Sequence, residues 1–235
     1  MKILSIDTSS SNCSIAVVGD EATLGEININ YNLQHSVLLM PLIEELLNRL
    51  DLSPKDLTAL TLSVGPGSFT GLRIGLAAVK GLASGLDLPI YAVDSIKALA
   101  YGAFGYSGLI VPMVDALRGG YYTGFYTFVK GELQTIMEPV ILTFEEIKEK
   151  LSKEEKEIMI MGDVVYKINE EDLIFSDQVI IAPKHLHIPK ASHLPDLLSK
   201  EIREGKSENI HTLVPLYMRK SQAEHEYEKK KGRLI

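Results

Sequence analysis

Cysteine is almost absent: Cys13 is the only one in 235 residues. An intramolecular disulfide and any zinc site built on several cysteines are therefore excluded, and a reducing compartment suits the chain. Long apolar runs are missing too. The longest in the first hundred residues, Val37 to Ile43, has seven members, against roughly 20 for a membrane span. The opening Met1-Lys2-Ile3-Leu4-Ser5-Ile6-Asp7 is interrupted too early for the core of a signal peptide, so a cytoplasmic place is expected by elimination. Basic charge is also short, with 24 Lys and Arg against 31 Asp and Glu and a formal charge of −7. A phosphate backbone is not attracted by that balance, and the isolated chain is expected to bind nucleic acid weakly.

What is present is an ordinary globular composition, 46% hydrophobic and 23% charged, with length for one large domain or two packed lobes. Lys2 to Ile6, Cys13 to Val18 and Ala22 to Asn30 alternate or run apolar between polar turns, which predicts an antiparallel meander. A helix from about Leu33 to Leu50, a strand from Ala59 to Val64, a helix from Phe69 to about Gly85, a strand from Ile90 to Val93 and a helix from Ser95 to about Phe104 follow. The pattern then restarts: Leu109 to Asp115 resembles Ile3 to Asp7, Tyr121 to Val129 resembles Cys13 to Val18, and Gly131 to Glu138 stands for Ala22 to Asn30. Asp7 and Asp115 are separated by 108 positions, the offset of a duplication. Thr143-Phe144-Glu145-Glu146 has the form of a capping box for a helix ending near Leu151. Strands are expected at Glu157 to Met161 and Val179 to Ala182, and a helix at Ala191 to Glu204. The expected fold is α/β, with two duplicated lobes, each a mixed sheet with flanking helices, as in the actin, sugar-kinase and Hsp70 ATPase group. The lobes are assigned to 1–105 and 106–223, with a charged tail at 224–235.

Gly65-Pro66-Gly67-Ser68-Phe69-Thr70-Gly71 runs into a helix whose free N–H groups could face an anion. It lacks the Lys and Ser/Thr of a P-loop and is not G-x-G-x-x-G, so a tight strand-to-helix turn is the plainer reading. Asp7-Thr8-Ser9-Ser10-Ser11 ends the first strand, where an actin-like ATPase keeps an acid for hydrated magnesium and a glycine-containing hairpin around phosphates. No glycine stands in this hairpin. Asp7, Thr8, Ser9, Gly65, Gly67, Ser68 and Asp115 are thus candidate nucleotide or anion contacts, and an autonomous actin-like ATPase or small-molecule kinase is the alternative function. His185 and His187 would share a strand face, with His193 as a third metal ligand, but Pro183 and Pro189 flank them; ordinary loop histidines are expected. The run Lys229-Lys230-Lys231-Gly232-Arg233 follows Glu224, Glu226 and Glu228, which reads as a solvated tail.

Two first-lobe helices hold more information. Val37 to Ile43 covers almost two turns without a polar residue, more apolar surface than packing on one side covers. The second helix carries Gly71, Gly75, Ala78, Gly81 and Gly85, although each helical glycine costs about 1 kcal/mol relative to alanine. Either the helix packs closely on its own sheet or it meets another helix of a partner. The second reading makes His35, Val37, Leu38, Met40, Pro41, Gly71, Leu72, Gly75, Ala78 and Leu82 a candidate partner interface, with no catalytic residue and no metal ligand assigned.

Ile3-Leu4-Ser5-Ile6-Asp7-Thr8-Ser9, Gly65-Pro66-Gly67-Ser68-Phe69-Thr70-Gly71-Leu72-Arg73-Ile74-Gly75, and Pro215-Leu216-Tyr217-Met218-Arg219 with Ala223-Glu224 together resemble the TsaB (YeaZ) family. That family is the bacterial partner in making the threonylcarbamoyl modification of the adenosine next to the tRNA anticodon. One departure is Leu117 in Asp115-Ala116-Leu117-Arg118, where arginine is the family's residue. The resemblance implies a non-catalytic subunit that pairs with the catalytic TsaD through its first-lobe helices, with the ATPase TsaE joining them. It also implies a homodimer when TsaD is absent, tRNA contact only through the complex, and no cofactor bound by this chain alone, ATP and metal being handled by TsaE and TsaD. TsaD holds its metal with H-x-x-x-H; here His35 is followed four positions later by Leu39.

Overall fold

The structure is a computed structural model that describes residues 1–31 and 34–219; the charged tail and its basic run lie outside the described residues. Seven α-helices and ten strands are described. The first sheet contains β1 (Lys2–Asp7), β2 (Cys13–Gly19), β3 (Thr23–Ile29), β4 (Ala59–Ser63) and β5 (Ile90–Val93), in the order β3-β2-β1-β4-β5. β1 pairs antiparallel with β2 and parallel with β4, with Asp7 opposite Ser14 and Ile6 beside Leu62. The second contains β6 (Leu109–Asp115), β7 (Gly120–Val129), β8 (Glu132–Thr143), β9 (Ile158–Met161) and β10 (Val179–Ile181), in the order β10-β9-β6-β7-β8. Counting each sheet from its own first strand gives the same plan, a meander on one side and parallel crossovers on the other. This is the duplicated actin-like ATPase fold expected from the repeated pattern.

α1 (His35–Arg49) and α2 (Phe69–Leu86) cover one face of the first sheet. Leu39, Leu42, Ile43, Leu46 and Leu47 from α1 and Leu76, Val79 and Ala83 from α2 bury against Leu4, Ile6, Ile15, Leu60 and Leu62. α3 (Ser95–Tyr101) is capped by Asp94, which accepts from Ile96 and Lys97 N–H at 2.7 and 2.9 Å, as an Asp at this position does. It leans on both lobes: Ala98 joins Ile3 and Tyr91, whereas Ile96 and Leu99 join Ile110 and Tyr126. α4 (Phe144–Leu151) begins with the expected capping box between Thr143 and Glu146.

Three expectations change. β8 continues five residues past Glu138, because an edge strand tolerates the missing N–H of Pro139 at the irregularity between Thr123 and Phe125. The helix expected at Ala191 to Glu204 is a 3-10 turn, Ala191–His193, then α6 (Leu194–Leu197) and α7 (Ser199–Glu204). These pieces sit on the first sheet rather than on the lobe assigned to 106–223. Leu194 and Leu198 bury with Ile3, Ala59, Tyr91 and Val93, and Ser14 Oγ accepts from Ala191 N–H at 2.7 Å. The histidines stand as expected, off any strand: His185 lies in another 3-10 turn, Lys184–Leu186, with His187 just after it. His187 faces Tyr166 and His193 faces Tyr101, so the three histidines do not converge.

Candidate functional site

Asp7 ends β1 fully buried. Its Oδ1 accepts from Ser9 N–H at 2.9 Å and Ser9 Oγ at 2.7 Å, and its Oδ2 has no hydrogen-bond partner. Burial pushes the carboxyl above the usual carboxylate range, against the opposing pull of those Ser9 bonds. The corresponding Asp115 is half-exposed and engaged differently. It accepts from Leu117 N–H at 2.7 Å and pairs with Lys167, which also reaches Asp163 at 3.3 Å. Partial burial lowers the Lys167 ammonium, but the two carboxylates outweigh it and hold it above its ordinary value.

The hairpin after β1 and the glycine turn before α2 are bonded to each other. Ser68 N–H donates to the Ser9 carbonyl at 2.7 Å, and a Cβ at Gly67 would lie 2.1 Å from the same oxygen. The Ser68 hydroxyl caps α2 by accepting from Gly71 N–H at 3.2 Å. Thr8 Oγ1 donates to the Gly71 carbonyl at 2.8 Å. An added Cβ would meet the Thr8 carbonyl at 2.1 Å from Gly71 and Thr8 Oγ1 at 2.3 Å from Gly75. These contacts give the two glycines a reason inside their own lobe: α2 comes close enough to touch the backbone at the end of β1. Of the candidate interface residues, Gly71, Leu72 and Gly75 are buried within this chain. Gly65 is likewise crowded, its Cβ position 2.9 Å from the Leu216 carbonyl.

The other interface candidates divide by helix face. His35 turns inward, its Nε2 at 2.8 Å from the Ser10 carbonyl, and Leu39, where a second ligand would stand, is in the core. Leu38, Ala78 and Leu82 are half-buried at the edge of that core. Val37 is 66% exposed and Met40 49% exposed, and Pro41 beside them is exposed as well. Met40, Pro41, Leu47, Leu57 and Leu82 line an apolar groove of about 510 Å³ next to this stripe.

A larger cleft of about 650 Å³ separates the lobes, lined on one side by Ser9 to Ser11, Ser68, Thr70 and Arg73 and on the other by Asp115, Asp163 and Lys167. Pro215 to Arg219 crosses its mouth. Leu216 N–H donates to the Val64 carbonyl at 2.7 Å, Tyr217 stacks on Phe69 with centroids 4.5 Å apart, and Arg73 Nε donates to the Tyr217 hydroxyl at 2.8 Å. Met218 packs into the second-lobe core, and Arg219 donates to the carbonyls of Ala116 and Leu117. Two sequence motifs 144 positions apart thus form one structure. Lys167 and Asp163 were missed by sequence reasoning, since neither stands in a motif.

The family model of TsaD, tRNA N6-adenosine threonylcarbamoyltransferase, matches residues 26–227. The tRNA threonylcarbamoyladenosine biosynthesis protein TsaB of Bacillus subtilis (strain 168) is 34% identical over 226 residues, 95% of this chain and 96% of that protein. The chain belongs to the TsaB family. The Escherichia coli (strain K12) TsaB is 28% identical, again over 95% of this chain and 96% of its own. Among solved structures, YeaZ from Pseudomonas aeruginosa superposes with a TM-score of 0.76 at 23% identity, covering 92% of this chain and 99% of that one, which bears on the fold. No helix among the described residues is long and apolar enough to cross a membrane.

Proposed function

We propose that this chain is the dimerising and activating subunit of the complex that transfers threonylcarbamoyl to N6 of the adenosine beside the tRNA anticodon, acting in the cytoplasm and binding a TsaD-type catalytic subunit. The names of its relatives support the pathway. The observation that carries the role is the uncovered apolar stripe of Val37, Met40 and Pro41 on α1, flanked by Ala78 and Leu82 of α2. Water is a poor partner for a contiguous apolar face, and the same helix pair on a homologous subunit would cover it with near two-fold symmetry. A second copy of the chain would use this face when the catalytic subunit is absent, and a TsaE-type ATPase would join the pair. Binding of ATP, metal and tRNA belongs in this reading to the assembled complex.

A non-catalytic role is supported by the inward turn of His35 and the burial of Leu39. Autonomous ATPase or small-molecule kinase activity is disfavoured because the hairpin and the glycine turn use their polar groups on each other. The test is Met40→Glu. Met40 is half in water, so the monomer should lose no more than about 0.5 kcal/mol. Burying an unpaired carboxylate in an interface costs about 2–5 kcal/mol, so affinity for the catalytic subunit should fall by about 30-fold or more, and tRNA modification in the reconstituted system with it. Wild-type co-elution of a folded Met40→Glu variant would place the interface elsewhere.

A further inference from the structure

Among the described residues, three stretches of chain cross between the lobes. The first runs from β5 through α3 to β6, and α3 packs on both lobes, Ala98 with Ile3 and Ile96 with Ile110. The second leaves the second-lobe core at Ala182 and reaches the first sheet at Ala191, the Pro189 carbonyl accepting from Asn12 Nδ2 at 2.9 Å on the way. Both lie on the inner side of the cleft. Ile96 and Leu99 of one and His187 and Pro189 of the other share a small cavity with Ser10 and Asp163 of the cleft walls. Two neighbouring crossings make a hinge, since a few connecting residues absorb the rotation of the bodies they join. Relative motion is the default for two such bodies unless the contact between them is large and apolar.

The third crossing lies at the mouth, away from that hinge, and is built differently. Leu213 is in the first-lobe core, Leu216 N–H is bonded to the Val64 carbonyl, and Tyr217 stacks on Phe69. Arg73 lies 4.0 Å over the Phe69 ring and donates from Nε to the Tyr217 hydroxyl. The very next residues belong to the other lobe: Met218 packs on its core and Arg219 donates to the carbonyls of Ala116 and Leu117. The change of lobe thus takes place across one peptide unit of fixed length, which leaves no slack. The receiving loop has Leu117 and Arg118 at φ of 63° and 56°, a backbone that residues other than glycine keep only where their surroundings hold it; Arg219 supplies such a hold. The first-lobe end is lighter, because Tyr217 is 39% exposed and can leave Phe69 without opening a core. We infer that Leu216 to Arg219 is a latch that keeps the inter-lobe cleft at one width, and that withdrawal of Tyr217 from Phe69 releases the lobes to turn about the two inner crossings. Neither the partner interface on α1 nor any ligand is needed for this. It gives the Pro215 to Arg219 motif and the Phe69 and Arg73 positions of the glycine-turn motif one mechanical task.

The full chain, isotopically labelled, is weakly aligned, and the residual dipolar couplings of its backbone amides are fitted separately for the two sheets. In the wild type one alignment tensor should fit both sheets in their observed orientation. Tyr217→Ala removes the stack and the Arg73 bond together and should split the fit into two tensors, with the couplings of one sheet averaged down relative to the other. Tyr217→Phe keeps the stack and should keep the single tensor. A loss of stability alone leaves the tensors of a folded protein equal, so the couplings separate release of the latch from weaker packing. Phe69→Leu removes the same stack from the helix side and decides the case if Tyr217→Ala does not fold. A wild type that already requires two tensors overturns the latch. So does a folded Tyr217→Ala, or Phe69→Leu in its place, that keeps the wild-type tensor across both sheets.

Discussion

Alanine at Gly75 and alanine at Gly81 should change stability in opposite directions, although both positions are interior to α2. In an exposed helix the exchange stabilises by about 0.5–1 kcal/mol, because glycine loses more backbone entropy on folding. At Gly81 nothing lies within 4 Å of the new Cβ, so that gain should appear whole, raising Tm by about 1–4 °C for a chain of this size. At Gly75 the new carbon meets Thr8 Oγ1 at 2.3 Å and Leu62 Cδ1 at 3.4 Å. Thr8 is buried and its hydroxyl is tied to the Gly71 carbonyl at 2.8 Å, so it cannot swing away without losing that bond. Overpacking costs about 1–3 kcal/mol and a lost buried hydrogen bond a similar amount. Less the helical gain, the net loss should be about 1–5 kcal/mol. Urea unfolding of the three proteins, with the m-value checked for constancy, measures both changes. If Gly75→Ala is as stable as Gly81→Ala, the close approach of α2 to the end of β1 is wrong. The glycines would then need another explanation, such as a partner helix.

Burial pushes the Asp94 carboxyl above the usual carboxylate range, up to about 6, against the pull of its two cap hydrogen bonds. The folded state therefore keeps that proton to higher pH than the unfolded state does, and the group's contribution to stability falls as pH rises from about 4 to 6. Asp94→Asn keeps a capping side chain and should remove this slope; the difference between the two pH–stability curves should reach roughly 1–3 kcal/mol by pH 7, and a flat difference would refute it. Cys13 is buried and its thiol is pushed up to about 11, mainly by burial, so a thiol reagent at pH 8 should label it only after unfolding. Rapid labelling of the native protein would contradict the burial. Alone, the chain, at −7, should bind tRNA only weakly; a submicromolar, salt-dependent affinity would overturn the reading of its charge.

Much of the architecture of both lobes was legible because its signals are local. Strand alternation and the Thr143–Glu146 capping box depend on neighbours two or three positions away, and the repeat from Asp7 to Asp115 requires only that the same local pattern occur twice. The glycines of α2 were legible as close approach but not as approach to what. Spacing along a helix shows which residues share a face, whereas the atom that faces Gly75 is Thr8, 67 positions earlier in the chain. The same holds for the last third of the described chain. Ala191 to Glu204 carries enough helical pattern to be seen, yet its docking on the first sheet rests on the shape of Ile3, Ala59 and Tyr91 together. The stacking of Tyr217 on Phe69 and the pairing of Lys167 with Asp115 and Asp163 are likewise products of closure of the chain. Periodicity and caps encode the conformations of single segments; which segments meet is decided when distant surfaces compete for the same buried area, and only the folded chain records the winner.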